Sequence, residues 1–240
     1  MAVFKQVAPE SLKDRVVCQL EELILSGQLA IGQKLPSERD LAAKLGVGRP
    51  LVHEALIELE SCDLVDMKPR SGTVVNDYRR YGSLALLDAL ISYNKGELEP
   101  RLFDGIVDMR LLFELESVRD AAKKRTAEDL AYIAKILEEE NIVDRRDPEA
   151  VTQLDFSFHL AIVIASQNMI YPLIVNSFKK IYTSYSGRYF AAGNSVEKIF
   201  TQHEKLYDAI RRKDADEAES IMKGLIKYGS SVLRKQQKKK

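Results

Sequence analysis

The chain has 240 residues, 45% hydrophobic and 30% charged, a composition typical of a folded globular protein. Its 36 basic and 36 acidic residues cancel, so total charge does not indicate nucleic-acid binding, and such a function must rest on local placement. The sequence has no run of roughly 18 apolar residues and no apolar leader, which argues against a membrane protein. It has only two cysteines and no CxxC motif, which argues against a disulfide framework or a zinc ribbon. Together these features predict a cytoplasmic protein.

Three helices are predicted near the N-terminus. The first begins at the cap-like Ser11 and ends at Gly27. The second follows Ser37, a good N-cap, and is ended by Gly46. After a two-residue turn the third begins near Arg49, with a proline in its first turn. The short turn between the second and third helices is typical of a helix-turn-helix.

A β-hairpin is predicted directly after these helices. LVDMK and GTVVN are short runs with β-branched or alternating residues, separated by the turn-forming PRSG. Three helices followed by a two-stranded hairpin within about 75 residues is the element order of a winged helix-turn-helix.

The remaining sequence predicts helices only. After the polar NDYRRYG, helical patterns cover roughly 82–94, 99–124, 126–143, 147–166, 169–191, 194–212 and 214–236. We therefore predict a mainly α protein in four parts: a winged helix-turn-helix at 1–76, a linker at 77–83, an all-α bundle of six or seven helices at 84–236, and a basic tail at 237–240.

Basic residues fall on each part of the head that would face DNA. Arg49 stands at the N-terminal end of the third helix, which enters the major groove in such domains and where arginine can bind guanine O6 and N7. Arg39 lies early in the second helix, where it could reach phosphate. Arg70 lies at the hairpin tip beside Gly72, whose backbone can approach DNA closely. Any one of these arginines could be an ordinary surface residue, but their joint placement favours DNA contact.

The segment GQKLPSERDLAAKLGVGRPLVHEALIELE, followed by RSGTVV, resembles the DNA-binding domain of GntR-type transcriptional regulators. The resemblance covers about the first third of the chain and implies that Arg39, Arg49 and Gly72 contact operator DNA. His53 stands where the family commonly has a second arginine, and histidine is shorter and mostly neutral, so the operator sequence is expected to differ there. The full set of expected DNA contacts is Arg39, Arg49, Leu51, His53, Arg70 and Gly72.

The helical part resembles the FadR branch of this family, whose effector-binding domain is a bundle of six or seven helices. The matching segments are DMRLLFELESVRDAA, LDFSFHLAI and HEKLYDAIRRKDADEAESIM. In that branch an arginine on the first long helix often meets an acidic effector, and Arg110 is the match. Arg110 also stands among apolar residues, where a partly buried arginine needs a carboxylate partner. The alternative is a structural salt bridge with a neighbouring helix.

Asp155 and His159 lie four residues apart in LDFSFHLAI, so a helix would place them on one face. From the residues alone the pair could hold a metal, bind a ligand, act as acid and base, or hydrogen-bond in a core. Many members of the FadR branch bind a divalent metal through one Asp and three His, and Asp155, His159 and His203 match three of these positions. The fourth falls at Leu225, so the resemblance implies a three-ligand site for zinc or a similar ion, with an open position.

A second resemblance is to members of the branch that bind long-chain acyl-CoA and use no metal. NMIYPLIVNSFKKIYTSYSGRYFAA and KYGSSV match them, and Tyr228 and Gly229 correspond to residues beside the acyl-CoA pocket. The aromatic residue expected soon after is replaced by the polar RKQQ. A small carboxylate and an acyl-CoA therefore both remain open as effectors. Five aromatic residues at helical spacing are interpreted as core rather than pocket: Phe156, Phe158, Tyr182, Tyr185 and Tyr189.

The predicted function is a homodimeric, ligand-responsive regulator, a repressor that binds palindromic double-stranded operator DNA and responds to a small acidic metabolite. The alternatives are an acyl-CoA-responsive regulator of fatty-acid metabolism, a DNA-binding architectural protein without a ligand, and a metal-dependent hydrolase using Asp155, His159 and His203. No nucleophile motif, Gly-rich phosphate loop or HExxH accompanies those three residues, so we expect no enzymatic activity.

Overall fold

The computed structural model describes residues 12–87, 100–193 and 195–237. They belong to two units, one within residues 1–97 and one within 98–240, and each unit has its own core. The elements of the first unit are α1 (Leu12–Leu25), α2 (Glu38–Leu45), α3 (Arg49–Ser61), β1 (Val65–Lys68), β2 (Gly72–Val75) and α4 (Tyr78–Tyr81).

Local capping defines the predicted helix-turn-helix. The Ser37 hydroxyl accepts a hydrogen bond of 3.2 Å from the Asp40 amide and so caps α2. Gly46, with a φ of 67°, ends α2 in the left-handed region that glycine adopts most readily. Pro50 lies in the first turn of α3. The predicted order of three helices and a wing is confirmed.

The wing is a two-stranded antiparallel hairpin. Val65 pairs with Val75 at its base, and Lys68 pairs with Gly72 at its tip. Arg70 has a φ of 65°, so the turn forces a non-glycine residue into the left-handed region and leaves its side chain exposed. The base of the hairpin lies in the core of the unit, whereas the tip projects into solvent.

One acidic residue lies in the head core among the described residues. The apolar faces of α1 and α3 meet the base of the wing, and Val52, Ala55 and Leu59 are completely buried there. Glu21 on α1 is only 7% exposed. Burial, assisted by the negative charge of Glu58, raises the pKa of the Glu21 carboxyl. At neutral pH this carboxylate therefore destabilises the head.

The substitution Glu21→Gln is expected to raise the melting temperature of the head at pH 7.5 by roughly 2–4 °C, because it removes a buried charge. Because folding raises the pKa of Glu21, the carboxyl makes its full contribution to stability below its ordinary pKa of 4.5, where it is protonated. That contribution is lost as pH rises through the pKa of the folded state. The gain should therefore shrink as pH falls towards 4.5. Calorimetric melts of the full chain measure it, with the exposed Glu22→Gln as control. An unchanged or lower melting temperature at pH 7.5 contradicts the expectation.

The second unit is entirely helical in its described part. It has seven helices: α5 (Pro100–Lys124), α6 (Ala127–Ile142), α7 (Pro148–Ala165), α8 (Tyr171–Ser177), α9 (Lys179–Ala191), α10 (Val196–Arg211) and α11 (Ala215–Gln237). Helix α7 is the central helix and packs against α5, α6, α8 and α9. Ten of its residues are buried, so α7 can carry side chains into the interior. Every helix of the described residues is too short or too polar to span a membrane.

The prediction of one helix over 169–191 is wrong, because the chain forms α8 and α9 with a break at Phe178. The backbone of Phe178 leaves the helical region, with a ψ of 3°, and its side chain lines a cavity inside the unit. No glycine or proline marks this break in the sequence; tertiary packing produces it.

Three other predicted segments meet the limits of the described residues. The predicted helix at 82–94 lies mostly outside them, since the description ends at 87 and resumes at 100. Residues 77–83, predicted as a linker, contain the short α4. Of the predicted tail at 237–240, Gln237 ends α11 and 238–240 lie outside the described residues.

Candidate DNA-binding groove and effector cavity

A groove in the first unit runs between the starts of α2 and α3 and the tip of the wing. Among the described residues that line it, Glu38 is the one acidic residue, and the cationic ones are Lys34, Arg39, Arg49, Lys68 and Arg70. Cations concentrated in a concave surface produce a positive potential that attracts polyanions. The chain therefore has a locally basic face although its total charge is zero.

The residues expected to contact DNA lie on or beside this groove. The side chains of Arg39, Arg49 and His53 are 89%, 72% and 51% exposed, and Arg70 and Gly72 form the wing tip. Leu51 is different, because it is half-buried and packs against the head core. The structure thus brings the basic residues together and gives Leu51 a packing contact.

Glu38 is a further residue of the groove that the sequence analysis did not single out. Its carboxylate accepts hydrogen bonds from Nε of Arg49 at 2.9 Å and from Nδ1 of His53 at 2.8 Å. These two hydrogen bonds lower the pKa of the Glu38 carboxyl. Glu38 stands 11 and 15 residues before its partners, so helical spacing cannot reveal the contacts; only the α2–α3 turn creates them.

A partly open cavity lies inside the helical unit. One end is polar and contains Arg110, Asp155, His159 and Tyr182. The other walls are mostly apolar and come from α5, α9, α10 and α11, with Phe103, Ile106, Phe190, Ile199, Leu225 and Leu233 among their residues. This division into a polar end and an apolar body is typical of a small-molecule site.

Asp155, His159 and His203 meet at the polar end. All three side chains are buried, and one potential ligand atom of each lies within 4.8 Å of the other two. Nε2 of His203 lies 3.7 Å from Oδ1 of Asp155, too far for a hydrogen bond, and it has no hydrogen-bond partner among the described residues. The other carboxylate oxygen of Asp155 accepts a hydrogen bond of 2.8 Å from the Tyr182 hydroxyl.

Two buried glutamates orient the histidines. Nδ1 of His159 lies 2.7 Å from Glu114 on α5, and Nδ1 of His203 lies 2.7 Å from Glu140 on α6. A carboxylate can only accept a hydrogen bond, so each Nδ1 donates, and in the neutral ring each Nε2 keeps its lone pair for a cation. A carboxylate behind each metal-binding imidazole is the usual arrangement in metal sites. The cluster therefore fits a divalent ion.

Glu114 and Glu140 were not identified from the sequence either. Glu114 follows Arg110 by four residues on the same helix, a spacing that could have indicated it. Glu140 ends the run Glu138–Glu139–Glu140, in which nothing in the sequence marks the buried member.

Arg110 lies in the cavity as expected, but its charge is already paired. Nε donates to Glu114 at 2.5 Å and Nη2 lies 3.3 Å from the second carboxylate oxygen. Burial alone would raise the pKa of Glu114, but the charge of Arg110 and the hydrogen bonds from His159 and Arg110 outweigh it and hold this pKa at about 2. The carboxylate partner of Arg110 is therefore on its own helix, not on a neighbouring one.

The aromatic residues divide between core and cavity. Phe156 and Phe158 are buried as predicted, and Phe158 stacks on the His203 ring at 3.9 Å. Tyr182 and Tyr189 are buried as predicted, but they and Tyr185 also line the cavity, so the interpretation as core rather than pocket is incomplete. They are spaced three or four residues apart and so share the face of α9 that meets the cavity.

Of the two residues matched to an acyl-CoA pocket, Gly229 lines the cavity, whereas Tyr228 is not among its lining residues. Tyr228 lies beneath Lys198, whose Nζ is 3.6 Å from the ring centroid, a cation–π contact.

Two family models match the chain. The model described as "Bacterial regulatory proteins, gntR family" matches residues 12–75, and the model described as "FCD domain" matches residues 105–228. The first match covers the helix-turn-helix and wing, and the second covers most of the helical unit, including the cavity and the Asp–His cluster.

Named proteins resemble the chain over nearly its whole length. HTH-type transcriptional regulator LutR of Bacillus subtilis is 31% identical over 216 residues, which are 88% of this chain and 96% of LutR. The galactonate operon transcriptional repressor of Escherichia coli is 27% identical over 92% of this chain and 96% of its own length. Among solved structures, Lar of Listeria monocytogenes has a TM-score of 0.62 at 19% identity, covering 95% of this chain and 99% of that chain. This last likeness concerns the fold alone.

Proposed function

The chain belongs to the GntR family of bacterial transcriptional regulators and carries an FCD effector-binding domain, and on this premise we propose that it is a metabolic repressor that a small carboxylate releases from its operator. The similarity to the galactonate operon repressor supports this sign of regulation. We further infer a cytoplasmic homodimer, because a two-fold dimer reads the two half-sites of a palindromic operator. The named relatives are regulators, which supports a role without catalysis.

The basic groove carries the DNA-binding part of the proposal. With α3 in the major groove, Arg49 would bind guanine at its start, and Arg39 and the wing residue Arg70 would contact the flanking phosphates. Gly72 would let the wing backbone approach DNA closely. Leu51 is proposed as a secondary contact only, since its partly buried side chain already packs against the head core.

The unpaired Nε2 of His203 carries the metal part of the proposal. Asp155, His159 and His203 would hold a divalent ion such as zinc, which supplies positive charge and an open position for a ligand oxygen. Arg110 and Glu114 cancel each other's charge, so Asp155 leaves the polar end negative. A carboxylate would be repelled there unless a cation is bound. We therefore propose metal-assisted binding rather than capture by Arg110 alone.

Little in the cavity favours an acyl-CoA. The nucleotide part of that ligand carries several phosphate charges, and phosphate is usually bound by free arginines, lysines or a helix N-terminus. Among the described lining residues, Arg110 is the one cation, and it is paired with Glu114. The cavity is better matched to a ligand whose only charge is one carboxylate.

Operator binding can be tested by fluorescence anisotropy with a labelled duplex from the region upstream of the protein's own gene. We expect saturable binding that weakens at high salt and that is reversed by a panel of small monocarboxylates together with Zn²⁺, but not by either alone. Failure to bind this duplex and unrelated duplexes alike contradicts the regulator proposal. Release by carboxylate in the presence of a chelator contradicts the metal-assisted part.

A further inference from the structure

The hydrogen-bonding capacity of the effector cavity is unusually small. Among the described residues that line it, Arg110 and Asp155 are the charged ones, and both have partners. The hydroxyls of Tyr182 and Ser230 already donate to Asp155 and to the carbonyl of Lys227. A ligand with several hydroxyl groups would leave most of them without hydrogen bonds once water is displaced.

The exceptions are two hydroxyl side chains, Ser186 and Tyr185, for which the described residues provide no hydrogen-bond partner. The Tyr185 hydroxyl is buried in the cavity wall. The Tyr185 ring is held in place by stacking on Phe103 at 5.0 Å. A buried hydroxyl without a partner is costly for a protein, so this one is available to a single polar group of a ligand.

Leu225 is part of the apolar wall of the cavity. It is 7% exposed and lines the same cavity as Asp155 and His159. Its side chain offers only methyl groups to a ligand. The part of the ligand that follows the carboxylate therefore meets an apolar surface.

We propose that the effector is a monocarboxylate with an apolar body, such as an alkyl or aryl acid, carrying at most two hydroxyl or oxo groups. This rests on the proposed carboxylate effector and names its chemical class. The carboxylate binds at Asp155, His159 and His203, the body packs against Phe103 and Leu225, and one polar group meets Tyr185. Polyhydroxylated sugar acids are excluded by their unmet hydrogen bonds.

Calorimetric titration of the Zn²⁺-loaded full chain with acetate, hexanoate, 3-phenylpropionate and gluconate tests this class. We expect hexanoate and phenylpropionate to bind at least about 10-fold more tightly than gluconate. Gluconate binding as tightly as hexanoate would overturn the inference while leaving a carboxylate effector in place. Binding of none of the four acids would refute the carboxylate effector itself, and the inference with it.

Two variants locate the groups responsible. Leu225→Asn is expected to narrow the preference for hexanoate over gluconate, whereas Leu173→Asn, at a leucine that is 63% exposed, is expected to leave it unchanged. Among the monohydroxyhexanoates, one isomer should bind at least as tightly as hexanoate, and Tyr185→Phe should weaken that isomer about 10-fold without affecting hexanoate. If Tyr185→Phe affects both acids equally, Tyr185 has only a packing role.

A second inference comes from Glu38 in the head. Its carboxylate binds Arg49 and His53, which stand four residues apart on one face of α3. Because a carboxylate cannot donate, Nδ1 of His53 carries a proton, which leaves Nε2 as an acceptor whenever the ring is neutral. Arg49 is held through Nε alone, so both its terminal amino groups are left for a base edge.

We infer that Glu38 is a positioning residue that fixes what α3 recognises. Arg49 presents its donors to guanine, whereas neutral His53 presents an acceptor and so selects a base with an exocyclic amino group, adenine or cytosine. This rests on the proposed entry of α3 into the major groove. An arginine at position 53 would instead present donors and select guanine.

Selection of operator sequences from a random duplex library at pH 8, above the ordinary titration range of histidine, tests this. Wild type should select adenine or cytosine at one position of each half-site, and His53→Arg should change that position to guanine with the rest of the site unchanged. Glu38→Gln should reduce the preference for adenine or cytosine at that position, whereas Glu22→Gln, on an exposed face of α1, should leave it unchanged. An unchanged preference in His53→Arg overturns the inference; failure of wild type to select any sequence refutes operator recognition itself.

Discussion

Arg49→Ala is expected to weaken operator binding by at least about 30-fold, because each dimer loses one bidentate guanine contact in each half-site and each contact is worth about 1–3 kcal/mol. Arg49 is 72% exposed, and among the described residues its guanidinium pairs with Glu38, so its removal should leave the head folded. Anisotropy titrations with operator and scrambled duplexes at one salt concentration measure the change.

Two further variants separate charge from geometry. Arg49→Lys keeps the charge but not the planar fork, so it should retain binding to scrambled DNA and lose most of the preference for operator. Arg80→Ala removes an equally exposed arginine that pairs with Asp77 away from the groove, and should change affinity by less than about 3-fold. If Arg49→Ala and Arg80→Ala have the same small effect, α3 does not read the operator through Arg49.

Asp155→Asn is expected to lower the affinity for Zn²⁺ at least about 100-fold, since it removes the one anionic ligand of the cluster and its charge. Glu140→Gln should lower it by about 10- to 100-fold, because Glu140 orients His203 without itself being among the proposed ligands. Competition with a chromophoric chelator, followed by metal analysis of the dialysed protein, gives both values.

The opposite change is expected at Leu225. Leu225→His would add an imidazole to the wall that Asp155 and His159 share, so Zn²⁺ affinity should rise about 10-fold or more while the open position for a carboxylate is lost. Leu173→His, on an exposed face, is the matched control. Equal Zn²⁺ affinity in wild type, Asp155→Asn and Leu225→His would show that these residues form no metal site.

The DNA-binding head could be predicted almost completely from the sequence. Its element boundaries depend on local chemistry: Ser37 caps α2, Gly46 ends it, and Pro50 opens α3. The same locality made the Asp155–His159 pair visible, because a helix alone places residues four apart on one face. His203 was found through the family resemblance, since no spacing relates α7 to α10.

Contacts between elements that are distant in sequence could not be predicted from local patterns. Glu38, Glu114 and Glu140 look like ordinary charged residues in the sequence, and only packing reveals that they hold Arg49, His159 and His203. The break at Phe178 was not predicted for the same reason. Its side chain lines the cavity where the helix is interrupted, and no glycine or proline in the sequence indicates the interruption.

The sequence by itself determined the fold class, the family and the residue types of both candidate sites, because helix caps, turn residues and i,i+4 spacing act within a few residues. The tertiary structure alone decided which charges are cancelled, which imidazole nitrogens are free and which walls are apolar. Those properties depend on burial and on distances between helices remote in sequence, and they change Arg110 from a free effector anchor into the partner of Glu114.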